Sequence, residues 1–253
     1  MQKLLKPEDR LIVAADFKPG PDQLNDECFM AREWAWREVL SLADKLKGTG
    51  IYLKVNSALR ALGYSLIGEI KSRGLRVFAD LKPFDIGKTL ATDGAFLREA
   101  KPELLTVSCV AGVAAMRELK AELPDTEVLG VTVLTSLKEA DAQAIFGCSI
   151  EQAVMRLAQV ADEAGIDGLI CAPTEARMLR DRFGDRFLLN TPAIRPASIV
   201  IKGDDQNPAR VMTPKKAIEA GAHRIVVGGP VLQAEDPRDA VMRTLDEIAA
   251  AIA

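Results

Sequence analysis

Eight short apolar runs, stretches of helical period between them, and a length of 253 residues together predict one (β/α)8 barrel spanning 1–253. The runs are β-branched and almost continuously apolar. That is the pattern of parallel strands covered on both faces, not of strands with one wet face.

In order, the strands are LIVAAD (11–16), IYLKV (51–55), RVFADLK (76–82), LLTVS (104–108), EVLGVTVL (127–134), GLICA (168–172), RFLLNT (186–191) and RIVVGG (224–229). Residues 22–47, with Trp34 and Trp36, are long for a first connection and helix. A helix packed on the barrel is expected there, with a contact between copies as the other reading. In AVMRLAQVADEAG, Val154, Leu157, Val160 and Ala161 share one helical face, and Gly165 is placed to cap the C-terminus. TPKKAIEAG offers Thr213 as N-cap and Pro214 at the first helical position. The last helix opens the same way, with Asp236 then Pro237. A doubly wound open sheet is the competing architecture. It would call for a phosphate loop, and neither GxGxxG after the first strand nor GxxxxGK[ST] occurs.

Composition narrows the function classes. The chain is 48% hydrophobic and 27% charged, with a net charge of −3, so it lacks the basic excess of a nucleic-acid binder. No run approaches the 18 or so apolar residues of a membrane span, and the N-terminus shows no signal-peptide pattern. Cys28, Cys109, Cys148 and Cys171 are scattered without a CxxC pair, as expected of buried, reduced thiols in a cytoplasmic protein. His223 is the one histidine, and its place after Gly-Ala suggests a surface loop. A histidine-rich metal site is therefore excluded, and no metal is expected. Chemistry falls to carboxylates and lysines.

Those groups collect at strand ends. A barrel binds ligands where its strands point. The first strand ends in Asp16, the second carries Lys54, and the third ends in Asp80 and Lys82, followed by Asp85. Residues 80 and 82 are two apart, so both side chains leave the strand on one face. An ion-pair network bracing the barrel mouth would explain any one pair. Burying a whole alternating set is costly, and apolar replacements would often be more stable, so its presence points to chemistry. Later strand ends offer Thr135 and Ser136, Arg195, Gln206, and the bare amides of Gly228 and Gly229. An arginine with exposed backbone N–H groups after strands 7 and 8 suits a phosphate.

The stretch DLKPFDIGKT resembles the DLKxHDIPNT motif of the orotidine 5′-phosphate decarboxylase family. AAD (14–16), LKV (53–55), VTVLTS (131–136), DGLICAPTEA (167–176), TPAIRP (191–196), DDQ…RVMTP (204–214) and VVGGP (226–230) follow that family in order. The resemblance implies cofactor-free decarboxylation of orotidine 5′-phosphate in pyrimidine synthesis. Lys82 would protonate C6 of the pyrimidine, Asp80 would lie near the leaving carboxylate, and Lys54 and Asp85 would complete a Lys-Asp-Lys-Asp array. Asp16 and Thr89 would contact the ribose region, and Thr135 with Ser136 the pyrimidine edge. Arg195, Gln206 and Gly228 would hold the 5′-phosphate. The family is dimeric, which implies that Asp85, Ile86 and Thr89 reach into a partner's site.

Several positions depart from the family pattern. Gly229 stands where the family's VVGRP places a phosphate-clamping arginine, and Ala193 where TPGIR has glycine. The motif histidine is Phe84, and Asn207, Pro208 and Ala209 lengthen the phosphate loop. Losing a charge-assisted hydrogen bond costs about 10- to 150-fold in affinity. Lys202 or Arg210 in the long loop is expected to replace the arginine. A related sugar-phosphate lyase and a non-catalytic nucleotide-binding paralogue are the alternatives.

Overall fold

The computed structural model describes residues 6–21, 28–196 and 210–252. Eight parallel strands pair in chain order and close into a barrel. They are β1 (Leu11–Ala14), β2 (Tyr52–Val55), β3 (Arg76–Ala79), β4 (Leu104–Ser108), β5 (Glu127–Val131), β6 (Gly168–Ile170), β7 (Leu188–Thr191) and β8 (Arg224–Val227). All eight coincide with the expected runs. Five of them stop two or three residues short, because the last residues of those runs leave the ladder at the barrel mouth.

A four-residue turn of helix, α1 (Pro7–Arg10), precedes β1. Helices α2 (Cys28–Lys45), α3 (Ser57–Leu62), α4 (Ser65–Lys71), α5 (Gly87–Ala100) and α6 (Gly112–Glu122) follow strands 1 to 4. Then come α7 (Glu139–Phe146), α8 (Ile150–Ala164), α9 (Ala176–Phe183), α10 (Pro214–Glu219), α11 (Gly229–Leu232) and α12 (Pro237–Ile252). The caps read from sequence are in place. The Thr213 hydroxyl accepts from the Lys216 amide at 3.4 Å, and Gly165 ends α8 at φ +76°. The Asp236 carboxylate accepts from the Arg238 amide at 2.8 Å. In α8, Val154, Leu157 and Ala161 are buried, and Val160 is partly so. Helix α2 packs on the barrel through Val39, Leu40, Leu42 and Ala43. Its Trp34 meets Phe17 edge-on, 6.3 Å between ring centres, while the Trp36 indole donates to Glu69 at the surface.

Two apolar layers follow from the period of two. Outward residues such as Val13, Leu53, Val77 and Leu105 join the helices in the larger core. Inward residues Ile12, Phe78, Leu104, Leu129 and Val226 fill the barrel. Below them the base is polar. Arg224, 1% exposed, donates both Nη atoms to Glu127 at 2.8 and 3.0 Å, and the Arg76 guanidinium lies 3.9 Å from the centre of the Tyr52 ring.

His223 is a correction. It is buried at 7% exposure, not on a surface loop. Its amide pairs with the Leu189 carbonyl at 2.8 Å, which extends the ladder by one residue and turns the ring outward against α9. The ring Nδ1 accepts from the Leu189 amide at 3.0 Å, and the Arg180 guanidinium packs against it. Burial, reinforced by Arg180, Arg10 and Arg224, lowers its pKa to about 3. Cys109, Cys148 and Cys171 are buried and unbridged, as expected.

Candidate active site

The inward positions at the strand ends are those where ladder pairing gives way to open space. A cavity of about 640 Å³ opens there, within the range of small-molecule sites. Ala14, Lys54, Phe78, Val131, Ile170 and Val226 line it from the strands. Asp16, Asp80, Lys82, Thr135, Pro192 and Gly228 line it from just beyond them. All twelve continue the inward parity of their strands.

An alternating charge chain crosses the cavity floor. The Lys54 ammonium sits 2.7 Å from Asp16 Oδ2 and 3.0 Å from Asp80 Oδ2. The Lys82 ammonium sits 2.6 Å from Asp80 Oδ1. Asp80 and Lys54 are deeply buried, Lys82 is part-buried, and Asp16 is open. Burial alone would raise the Asp80 pKa, but Lys54 and Lys82 outweigh it and hold the carboxyl below its ordinary value. Burial would likewise lower the Lys54 pKa, but Asp80 and Asp16 overcome it and raise the ammonium above its usual range.

Backbone geometry aims Lys82. Strand β3 ends at Ala79, and the Asp80 amide makes one further ladder bond to the Val55 carbonyl at 3.0 Å. Lys82 then adopts φ +50°, a left-handed conformation that costs a residue with a Cβ about 1–2 kcal/mol. Thr106 holds it there. The Thr106 hydroxyl accepts from the Lys82 amide at 3.0 Å and donates to Asp80 Oδ1 at 3.0 Å. Thr106 is fully buried and was not among the sequence candidates, since threonine inside LLTVS looks like an ordinary strand former. Its inward parity with Leu104 was the available signal. Ala193 is likewise left-handed, at φ +62°, where the related motif carries glycine. Such strained residues gather at functional sites.

The other expected residues divide. Thr135, Arg195, Gly228 and Gly229 line the cavity, and Lys18 and Gln233, not among the sequence candidates, join them. Ser136 is exposed and off the lining. Asp85, Ile86 and Thr89 stand exposed at the start of α5 and also off the lining, with Asp85 accepting from the Ile86 amide at 2.7 Å. Within one chain, therefore, Asp85 does not join the Lys54–Asp80–Lys82 chain. Gln206 and Lys202 lie outside the described residues. Arg210 is a further correction. It is 5% exposed, ion-paired to Glu175, and donates to the Leu134 carbonyl at 2.8 Å, so it is not placed to replace the missing arginine. Among the described residues no cluster of His, Cys, Asp or Glu could hold a metal ion.

Known proteins resemble this chain along nearly its whole length. The orotidine 5′-phosphate decarboxylase of Alkalilimnicola ehrlichii is 38% identical over 248 residues, 95% of this chain and 97% of that one. That of Rhodopseudomonas palustris is 38% identical over 245 residues, 96% of each chain. The crystal structure of the Lactobacillus acidophilus orotidine 5′-phosphate decarboxylase superposes with a TM-score of 0.74 at 29% identity, covering 95% of this chain and 99% of that one. The family model described as orotidine 5′-phosphate decarboxylase / HUMPS matches residues 9–244, and the chain belongs to that family.

Proposed function

We propose that this protein decarboxylates orotidine 5′-phosphate to uridine 5′-phosphate in pyrimidine synthesis, as a cytoplasmic homodimer and without cofactor or metal. The observation that carries the proposal is the Asp80 carboxylate clamped between two ammonium groups on the cavity floor. In this reading the pyrimidine lies over that floor with its carboxylate toward Asp80. The bond from C6 to the carboxylate breaks, CO2 leaves, and the electron pair remains on C6. Lys82 Nζ stabilises that charge through a preorganised contact and then gives C6 its proton, to be reprotonated from solvent. Lys54 fixes Asp80 and, through Asp16, the ribose side. Thr135 reads the pyrimidine edge, while Ser136 stays outside the cavity. Arg195, Gln206 and Gly228 hold the phosphate, with Gly229 beside them. The phosphate is remote from the reacting carbon, so its binding energy can raise the rate as well as the affinity.

Asp85, Ile86 and Thr89 complete the site of a second copy in this scheme. Their exposure on one chain, with Phe84 and Ile86 at 67% and 69%, suits a surface covered by a partner. A second reading takes Gly229 as its observation: without the arginine, the substrate is another sugar phosphate of the same chemical class.

Ultraviolet absorbance of orotidine 5′-phosphate with purified protein separates the two. Turnover that disappears in Lys82→Ala, with the fold retained, is the expected result. A wild-type chain that neither turns over orotidine 5′-phosphate nor binds a pyrimidine nucleotide favours the second reading.

A further inference from the structure

The end of the cavity where the phosphate is placed lacks its expected cation, and the structure offers a replacement from an unexpected strand. Strand β1 runs beside β8, with Val13 paired to Val227. A Cβ built on Gly228 would lie 3.5 Å from the Ala14 Cβ, in ordinary contact. The loop leaving β1 therefore starts beside Gly228. Lys18 is the cation on that loop, and it lines the same cavity as Arg195 and the two glycines. Its neighbours restrict it. Phe17 is pinned edge-on by Trp34, and Pro19 biases Lys18 to an extended backbone.

The cavity's other positive charges are engaged differently. Lys54 and Lys82 share Asp80, and Arg195 donates to the Ile194 carbonyl at 2.9 Å. Among the described residues the Lys18 ammonium has no ion pair or hydrogen bond. A cation so placed has more to gain from an incoming anion than one already neutralised.

We propose that Lys18 binds the phosphate of the nucleotide substrate, in place of the arginine absent at Gly229. This rests on the pyrimidine-nucleotide reading above. The Lys18 side chain is solvent-exposed, so its replacement leaves the core untouched.

Calorimetric titration of the full chain with uridine 5′-phosphate and with uridine tests it, using wild type, Lys18→Met and Lys18→Arg. The expected result is a roughly 10-fold loss of nucleotide affinity in Lys18→Met with uridine binding unchanged. Lys18→Arg recovers most of the loss. A nucleotide-to-nucleoside affinity ratio in Lys18→Met within about twofold of wild type overturns the assignment while leaving the substrate reading intact. Wild-type protein that binds neither ligand overturns both.

Discussion

Thr106→Val keeps the shape of a fully buried side chain and removes its oxygen. Two bonds go with that oxygen: the donation to Asp80 Oδ1 and the acceptance from the Lys82 amide, both 3.0 Å. A hydrogen bond to an ionised group is worth about 1.5–3 kcal/mol, and leaving a buried N–H unpaired costs about 1–3 kcal/mol. Together they predict a destabilisation of roughly 2.5–6 kcal/mol, well above the ordinary scatter of single substitutions. The Lys82 amide is also what fixes the left-handed turn that aims its ammonium. Freeing it should displace the proposed proton donor and lower kcat about 10- to 100-fold, with KM changed far less. Thr106→Ser keeps both bonds and loses one methyl, so it should cost only about 1 kcal/mol and retain activity. Denaturant unfolding gives the stability and steady-state kinetics the split between kcat and KM. A Thr106→Val enzyme within about 0.5 kcal/mol of wild type and with unchanged kcat would refute the role of this hydroxyl.

Two further predictions probe other regions. If Asp85 acts across a dimer, Lys82→Ala and Asp85→Ala should each be inactive alone, yet refolding them together should restore about a quarter of wild-type activity, since half the dimers then carry one intact site; an inactive mixture would place Asp85 in its own chain's site or in none. His223, depressed to about 3, stays neutral in the fold while the unfolded chain takes up a proton below 6.5, so its contribution is complete above that pH and falls as pH drops toward 3. Wild type should lose about 2 kcal/mol between pH 7 and 5, and His223→Gln should flatten that slope; equal slopes in the two proteins would show that His223 titrates alike folded and unfolded.

The barrel was legible because each strand is buried on both faces, so its apolar run is contiguous and needs no knowledge of neighbours. Asp16, Lys54, Asp80 and Lys82 were legible for a related reason: charge at the end of such a run has few innocent explanations. What escaped depends on partners far along the chain. His223 looked like a loop residue because Arg180 and Leu189, which enclose it, come from other elements. Arg210 looked available because Glu175, its partner, lies 35 residues earlier. Thr106 carries no charge to mark it, and only its parity with Leu104 and its reach to Asp80 reveal its place. Lys18 sits beyond the end of β1, where sequence spacing says nothing about which neighbouring strand the loop will pass.

The alternation along the cavity floor also bears on how a substrate arrives. Asp16, Lys54, Asp80 and Lys82 sum to zero formal charge, and the bonds linking them lie between 2.6 and 3.0 Å. Seen from a few Debye lengths away, such a row is nearly dark: opposite charges this close cancel each other's field before it reaches solvent. In the proposed function, attraction of orotidine 5′-phosphate, charged at both its phosphate and its carboxylate, then falls to cations such as Lys18 and Arg195 that line the same cavity. Capture becomes the ionic-strength-sensitive stage, while the bond-breaking stage works inside a short-range field that bulk salt does not reach.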